Sequence, residues 1–566
     1  MIILCKIVLL CGKRRDGGMM SECFINTKRY TFKKGSTVLQ VLMETDKNYR
    51  QVLVVRKNNR LCDLHQKIKD GDKIETLSIN TREGFRCYQN SLSFLLSAVV
   101  EEYFPQKRLI IEHSFGDGFY CKFSNGQKVS KKIIRELTRL MRKKIKERIP
   151  FVRIERTKKG IITYFKQKGK KEKVQLLGFE KGATIELYRF KDYIDFSFTP
   201  LVADSSYLQD FKLHFYNPGF VLRFPQPMMK HVNKNFPDEP KLFHIFEEYE
   251  KWGEILGVPN LISLNRKIEA GEISELIKVA EALHEKKIAR IADEIKARWK
   301  KLRIVLIAGP SASGKTTFSK RLAVQLRVNC LRPITISLDD YFVERGKTPR
   351  LPDGTYDYES IGAIDVALLN KHLSLLLKGE KVTIPKFEFS TGKRLKGKTI
   401  AMKKGQVLII EGIHGLNEKL TEQIAKEKKM KIYISALTQL NVDQNHRIST
   451  RDTRIVRRIV RDNLFRKHTA RETFGIWKNV EKGEERNIFP FQEEADIMFN
   501  SALVYELSVL KRFAVPLLRS VTSDQEEFSE AERLLKFLSF FVDVSPGEVP
   551  PTSILREFIG GSSFLY

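Results

Sequence analysis

Apolar residues follow three rhythms along this chain, and each predicts a different kind of element. Between about 21 and 80 they alternate in short runs around Gly35-Ser36-Thr37 and Lys69-Asp70-Gly71-Asp72. A period of two bounded by turn residues predicts half-buried strands. Within 131–148 the residues Ile133, Ile134, Leu137, Leu140, Met141 and Ile145 recur at helical spacing. Residues 243–256 and 274–302 also read as helices, separated by a break at Gly257-Val258-Pro259. From 303 to about 521, strand-like runs at 304–308, 334–338, 407–410, 432–436 and 497–500 alternate with helical stretches. That alternation predicts an α/β domain built on a doubly wound parallel sheet. Beyond it, 530–538 reads as an amphipathic helix. The apolar ending around Ile554, Leu555 and Phe558 is expected to dock on the body.

Composition fits several cores. The chain has 566 residues with 42% apolar content, which suggests three or four domains. Boundaries are expected at 21–82, 83–227, 228–302, 303–521 and 522–566, with 1–20 an unassigned extension. In that extension Ile2 to Leu10 is apolar, but Lys6 interrupts it and Lys13, Arg14 and Arg15 follow it. This is the wrong order for a secretory signal and too short to cross a bilayer, so a short strand or a start at Met19 or Met20 is expected. The seven cysteines are scattered and never form a CxxC pair. Neither a disulfide framework nor a zinc knuckle is indicated, and a cytoplasmic protein is expected. Net charge is +33, which attracts polyanions such as nucleic acid but also describes a solvated basic surface.

Candidate chemistry begins at 309–317, Gly-Pro-Ser-Ala-Ser-Gly-Lys-Thr-Thr, directly after Ile304-Val305-Leu306-Ile307-Ala308. A strand running into GxxxxGK[ST] and opening a helix cradles the phosphates of a nucleoside triphosphate. Gly309, Ser311, Ser313, Gly314, Lys315, Thr316 and Thr317 are the expected ATP-binding residues. Lys315 would reach the outer phosphates and Thr316 would offer its hydroxyl to Mg²⁺. Two carboxylate positions end neighbouring strands, Asp339 with Asp340 and Glu411, where functional acids gather in such sheets.

The N-terminal segments resemble known modules. Residues 21–82 are similar to a TGS domain, a β-grasp module. Residues 83–227, through Tyr103-Phe104-Pro105 and Ile111 to Tyr120, resemble the α+β second additional domain of threonyl-tRNA synthetase. In the synthetase that domain edits mischarged tRNA with two histidines on its first helix and a later Cys-x3-His pair. Here the helix positions read Gln89 and Ser93, and 199–205 holds neither cysteine nor histidine. The resemblance therefore implies a module without its metal-type editing site. The basic run 131–148, with nine Lys or Arg, could grip RNA phosphates or form a solvated face.

The C-terminal half resembles the uridine kinase and phosphoribulokinase family of P-loop kinases. The residues that carry this are Ser337-Leu338-Asp339-Asp340-Tyr341-Phe342, Tyr356-Asp357, Ile384-Pro385-Lys386-Phe387, Ile409-Ile410-Glu411-Gly412 and the arginine-rich 453–462. The resemblance implies phosphorylation of a ribonucleoside 5′-hydroxyl by ATP with Mg²⁺. In that scheme Asp339 accepts the proton beside Lys315, and Thr316, Glu411 and Asp339 face the metal. Asp357 holds the sugar, with Phe342, Phe387 and Arg461 also lining the substrate site. Arg458, Arg461 and Arg466 close over the phosphates. Where uridine kinases place a tyrosine and a histidine to read the base, this chain has Phe387 and Gly392. Phe387 is expected to stack on a base without naming it. Two other readings stay open: an RNA- or tRNA-binding regulator with a nucleotide switch, and a kinase of another small alcohol. No membrane partner is expected, and the sequence leaves the oligomeric state open, a homo-oligomer included.

Overall fold

The computed structural model describes residues 20–565 apart from 125, 181, 352, 353, 389 and 439, so the extension expected at 1–20 lies outside it except for Met20. The alternating N-terminal region folds as read. Met20–Ile25 and Lys28–Lys33 join Lys73–Leu77, Val54–Lys57 and Arg60–Cys62 in one five-stranded sheet. Helix Val38–Thr45 packs on it and starts with a reciprocal cap, in which Thr37 and Gln40 each accept from the other's backbone N–H.

The next module places helix Arg82–Tyr103 beside a four-stranded antiparallel sheet ordered 212–216, 219–223, 118–123, 109–115. Its basic helix Lys131–Lys146 buries Ile134, Leu137, Leu140, Met141 and Ile145, the apolar stripe read from sequence. Lys131, Lys132, Arg135, Arg142, Lys143 and Lys146 are exposed. Lys144 is instead buried and paired with Glu102 at 2.7 Å. Helices Pro240–Leu256, Leu261–Glu269 and Ile273–Arg298 form the connector. The first begins with proline and ends at Gly257, whose φ of 64° stops it at the predicted break.

The C-terminal half contains β1 (Ile304–Ala308), α1 (Lys315–Val328), β2 (Arg332–Ser337), the hairpin β3 (Lys381–Glu388) and β4 (Lys393–Ala401), β5 (Gln406–Glu411), β6 (Lys429–Ser435), α2 (Thr450–Arg466), α3 (Ala470–Asn487), β7 (Ile497–Asn500), α4 (Phe528–Ser539) and α5 (Arg556–Ile559). The sheet runs β2-β5-β1-β6-β7 with every pairing parallel. β1 is buried along its whole length, as a central strand covered on both faces must be. β2 stops at Ser337, one residue before the reading from sequence. Leu338–Tyr341 wind into a 3₁₀ turn capped by the Ser337 hydroxyl, which accepts from the Asp339 N–H at 3.3 Å. Among the described residues no helix is long and apolar enough to cross a membrane.

The halves interlock through the segment between β6 and α2. The Ile111 N–H donates to the Gln444 carbonyl at 2.9 Å. Asn441 donates to the Ile111 carbonyl at 3.1 Å, and Arg447 donates to the Ser114 hydroxyl at 2.6 Å. α2, whose arginines face the phosphate loop, is thereby anchored at its N-terminal end in the synthetase-like module.

Candidate phosphate-transfer site

The phosphate loop is shaped by close approach. A Cβ on Gly309 would lie 1.9 Å from the Ile434 carbonyl oxygen, so only glycine lets the chain leave β1 beside β6. Gly314 takes a φ of 83° and caps α1. The first-turn N–H groups and positive dipole end of α1 then face the loop. The Ser313 hydroxyl is buried there without a hydrogen-bond partner.

Lys315 folds back on its own loop, donating to the carbonyls of Gly309 at 2.9 Å and Pro310 at 3.1 Å. Burial pushes its pKa down, and the charges of Glu411, Glu557 and Asp339 only partly oppose this. Asp339 is its near neighbour. Burial raises the Asp339 carboxyl, Lys315 pulls it down, Asp340 raises it further and Arg466 lowers it. Glu411, at the end of β5, accepts from the Ser337 hydroxyl at 3.3 Å. It is pushed up to about 7, first by burial and next by Asp339. Lys315, Asp339 and Glu411 thus share one electrostatic neighbourhood. Asp340 turns toward the hairpin, near the Phe387 backbone, Lys398 and Lys386.

The arginines of α2 gather on Asp462. Arg458 donates to it at 3.1 Å and to the Ser311 hydroxyl at 2.7 Å. Arg461 and Arg466 approach Asp462 at 2.7 and 3.5 Å. Arg458 therefore touches the loop, whereas Arg461 is committed to a carboxylate of its own helix. Arg454 donates to the Ser311 carbonyl at 2.9 Å and pairs with Glu484.

On the acceptor side the structure adds a carboxylate to those read from the sequence. Asp357 lies 3.9 Å from Arg486. Glu359, two residues on, feels the charges of the cleft. Burial, and then the charge of Glu484, push it up to about 7 against Arg458 and Lys315. Phe342 and Phe387 are both buried and pack at a ring-centroid distance of 5.5 Å. The Phe387 ring is largely covered, because it joins the core shared by the hairpin, the 338–342 turn and the neighbouring sheet face. Gly392 has a φ of 69°, and a Cβ there would lie 2.6 Å from the Arg345 Nε. Arg345 fills the space a side chain at that position would take.

Sequence reasoning missed three carboxylates: Glu359, Glu484 and Glu557. Glu484 on α3 accepts from the Ser311 N–H at 2.7 Å. Glu557 on α5 accepts from the Thr317 N–H at 3.1 Å and hydroxyl at 2.6 Å. They lie 173 and 240 residues from their loop partners, so no local pattern could reveal them.

The chemistry of this donor set fits a nucleotide with Mg²⁺. Inward N–H groups, an ammonium and guanidinium groups suit phosphate. Crowded carboxylates raised by burial beside a hydroxyl suit a small hard cation. The synthetase-like cleft differs. Gln89 and Ser93 line a cavity of about 120 Å³ together with Asn445, His446 and Arg447. Nearby Asp195, Asp443 and His446 have metal-ligating spacing. The Lys173 ammonium sits 2.7 Å from Asp195 and 3.0 Å from Asp443, where a cation would go.

Comparison with known proteins agrees with this division. Residues 304–508 match the model of the family described as Phosphoribulokinase / Uridine kinase family. A uridine kinase from Ureaplasma parvum is 26% identical over 177 residues, which are 31% of this chain and 77% of the relative. A threonine–tRNA ligase from Carboxydothermus hydrogenoformans is 28% identical over 197 residues, 34% of this chain. The match spans about a third of that ligase, 31% of its length. The solved “Structure of a Possible Uridine Kinase from Bacillus stearothermophilus” aligns at 22% identity and a TM-score of 0.24, covering 35% of this chain and 89% of that one.

Proposed function

We propose that the protein, whose residues 304–508 match the phosphoribulokinase and uridine kinase family model, transfers the γ-phosphate of ATP to the 5′-hydroxyl of a ribonucleoside. The observation that carries this reading is the shared neighbourhood of Asp339, Lys315 and Glu411 at the mouth of the loop. Thr316 and Glu411, with Asp339, would hold Mg²⁺, which screens the phosphate charges when bound. Asp339 takes the proton as the acceptor oxygen bonds to phosphorus, while the bond from phosphorus to the bridging oxygen breaks and ADP leaves with its electron pair. Lys315 and Arg466 offset the negative charge that gathers on the transferring group. Gly309, Ser311, Ser313, Gly314 and Thr317 hold the nucleotide phosphates with Arg458. Glu359 supplements Asp357 as the sugar-side acid, and Arg461 keeps Asp462 neutralised so that Arg458 can reach the loop.

The test is ADP release with a panel of ribonucleosides and small alcohols, for wild type and Asp339→Asn. Turnover with at least one ribonucleoside, and a loss of roughly 10²-fold or more in the variant, is expected. Turnover only with a non-nucleoside alcohol would move the acceptor, and equal rates would remove Asp339 from its role.

A second reading concerns the N-terminal half, where the exposed cations of helix Lys131–Lys146 favour contact with RNA phosphates. Binding of tRNA should then weaken steeply between 50 and 200 mM salt, on the order of tenfold or more. Binding that ignores salt, or no binding, leaves a solvated face.

A further inference from the structure

We propose that Glu557 is an intramolecular competitor for the phosphate-binding donors of the loop, so that nucleotide enters only as α5 is displaced. This deepens the nucleotide-site reading above and rests on it.

The Thr317 N–H and hydroxyl lie in the first turn of α1, where a loop of this sequence offers its donors to the phosphates of a nucleotide. Both are taken by one Glu557 oxygen, at 3.1 and 2.6 Å. A backbone N–H cannot serve a carboxylate and a phosphate at once. Two anions on the same donors also repel, strongly where water is scarce. The contact is not a loose side chain meeting a loop by chance. Ile554, Leu555 and Phe558 are fully buried. Ile554 sits on the loop itself, since a Cβ on Gly314 would meet its Cγ2 at 2.5 Å. Phe558 lies 4.9 Å from the Arg457 guanidinium, which also donates to the Ala312 carbonyl within the loop at 3.2 Å.

The segment is also built as a unit. Arg556 donates to the carbonyls of Pro546 and Val549 at 2.9 and 2.6 Å. Gly560 and Gly561, with φ of 80° and 71°, end α5 in a backbone region open to glycine. Gly560 in turn lies against Leu464 near the end of α2. α5 therefore touches both the loop and the arginine helix, and its displacement reaches both.

Equilibrium titration calorimetry of the full chain with ADP, tripolyphosphate and adenosine tests this, for wild type, Glu557→Gln and Glu557→Asp. The glutamine removes the charge, and the aspartate keeps it but is one methylene too short to reach Thr317. Each variant is expected to bind ADP and tripolyphosphate about tenfold more tightly, with adenosine, which carries no phosphate, changed less than about twofold. Amide hydrogen exchange of wild type should show 553–561 losing protection when ADP is added. Equal ADP affinity in all three proteins, with 553–561 still protected, overturns the competitor and leaves the nucleotide site intact. ADP binding to none of them overturns both.

Discussion

Two buried ionic clusters in this chain respond to burial in opposite ways. At the junction of the halves, burial works against the charge of Lys173, but Asp195 and Asp443 outweigh it and hold the ammonium above its usual range. Asp443 is likewise held below the usual carboxylate range, because His446 and Lys173 overcome its burial. In the phosphate loop burial wins. Lys315 is pushed down, and Asp339 and Glu411 are pushed up. The first cluster is electrostatically complete and the second is short of partners. Lys173 closes an interface, whereas the loop holds charge that a polyanion with its cation would balance. This contrast separates a structural ion network from a ligand site without reference to any relative.

Removing one cation from each cluster sharpens the comparison. Lys315→Met should lower turnover by roughly 10³-fold, since the transferring group loses its nearest fixed cation. Its effect on unfolding free energy should stay under about 1 kcal/mol, because among the described residues its hydrogen bonds go to the neutral carbonyls of Gly309 and Pro310 and not to a carboxylate. Lys173→Met should do the reverse. It strands two buried carboxylates and should cost about 3–5 kcal/mol of stability. Turnover measured well below its unfolding midpoint should fall far less than in Lys315→Met. Denaturant unfolding alongside steady-state rates reads both, and equal stability losses would break the distinction.

Much of this was legible in the sequence, and the boundary has a physical cause. The strands of the parallel sheet and the glycine-shaped loop are set by local patterns, and their bounds agree with the sequence to within a residue or a few. The β-grasp alternation and the apolar stripe of 131–148 are equally local. What could not be read arrives by tertiary packing. Glu484 and Glu557 reach the loop from α3 and α5. Lys144 looks like one more surface cation until helix Arg82–Tyr103 brings Glu102 to it. Phe387 shows the same limit: its burial in a cluster with Phe342, Leu338 and Leu373 comes from distant segments that no local pattern announces. Glu359 is a further case, since the charges of Glu484, Arg458 and Lys315 that act on it come from distant segments.

The incompleteness of the loop cluster has a direct thermodynamic signature. Burial and the charge of Asp339 push Glu411 from its ordinary 4.5 up to about 7, which leaves it incompletely ionised at pH 7. Mg²⁺ with ATP favours the ionised form, and binding must then expel protons into the buffer. Calorimetric titration of Mg·ATP at pH 7 in two buffers of different ionisation enthalpy measures that number. The account predicts net proton release in wild type and a clear reduction in Glu411→Gln. Binding with no proton release, or with the same release in the variant, would contradict it.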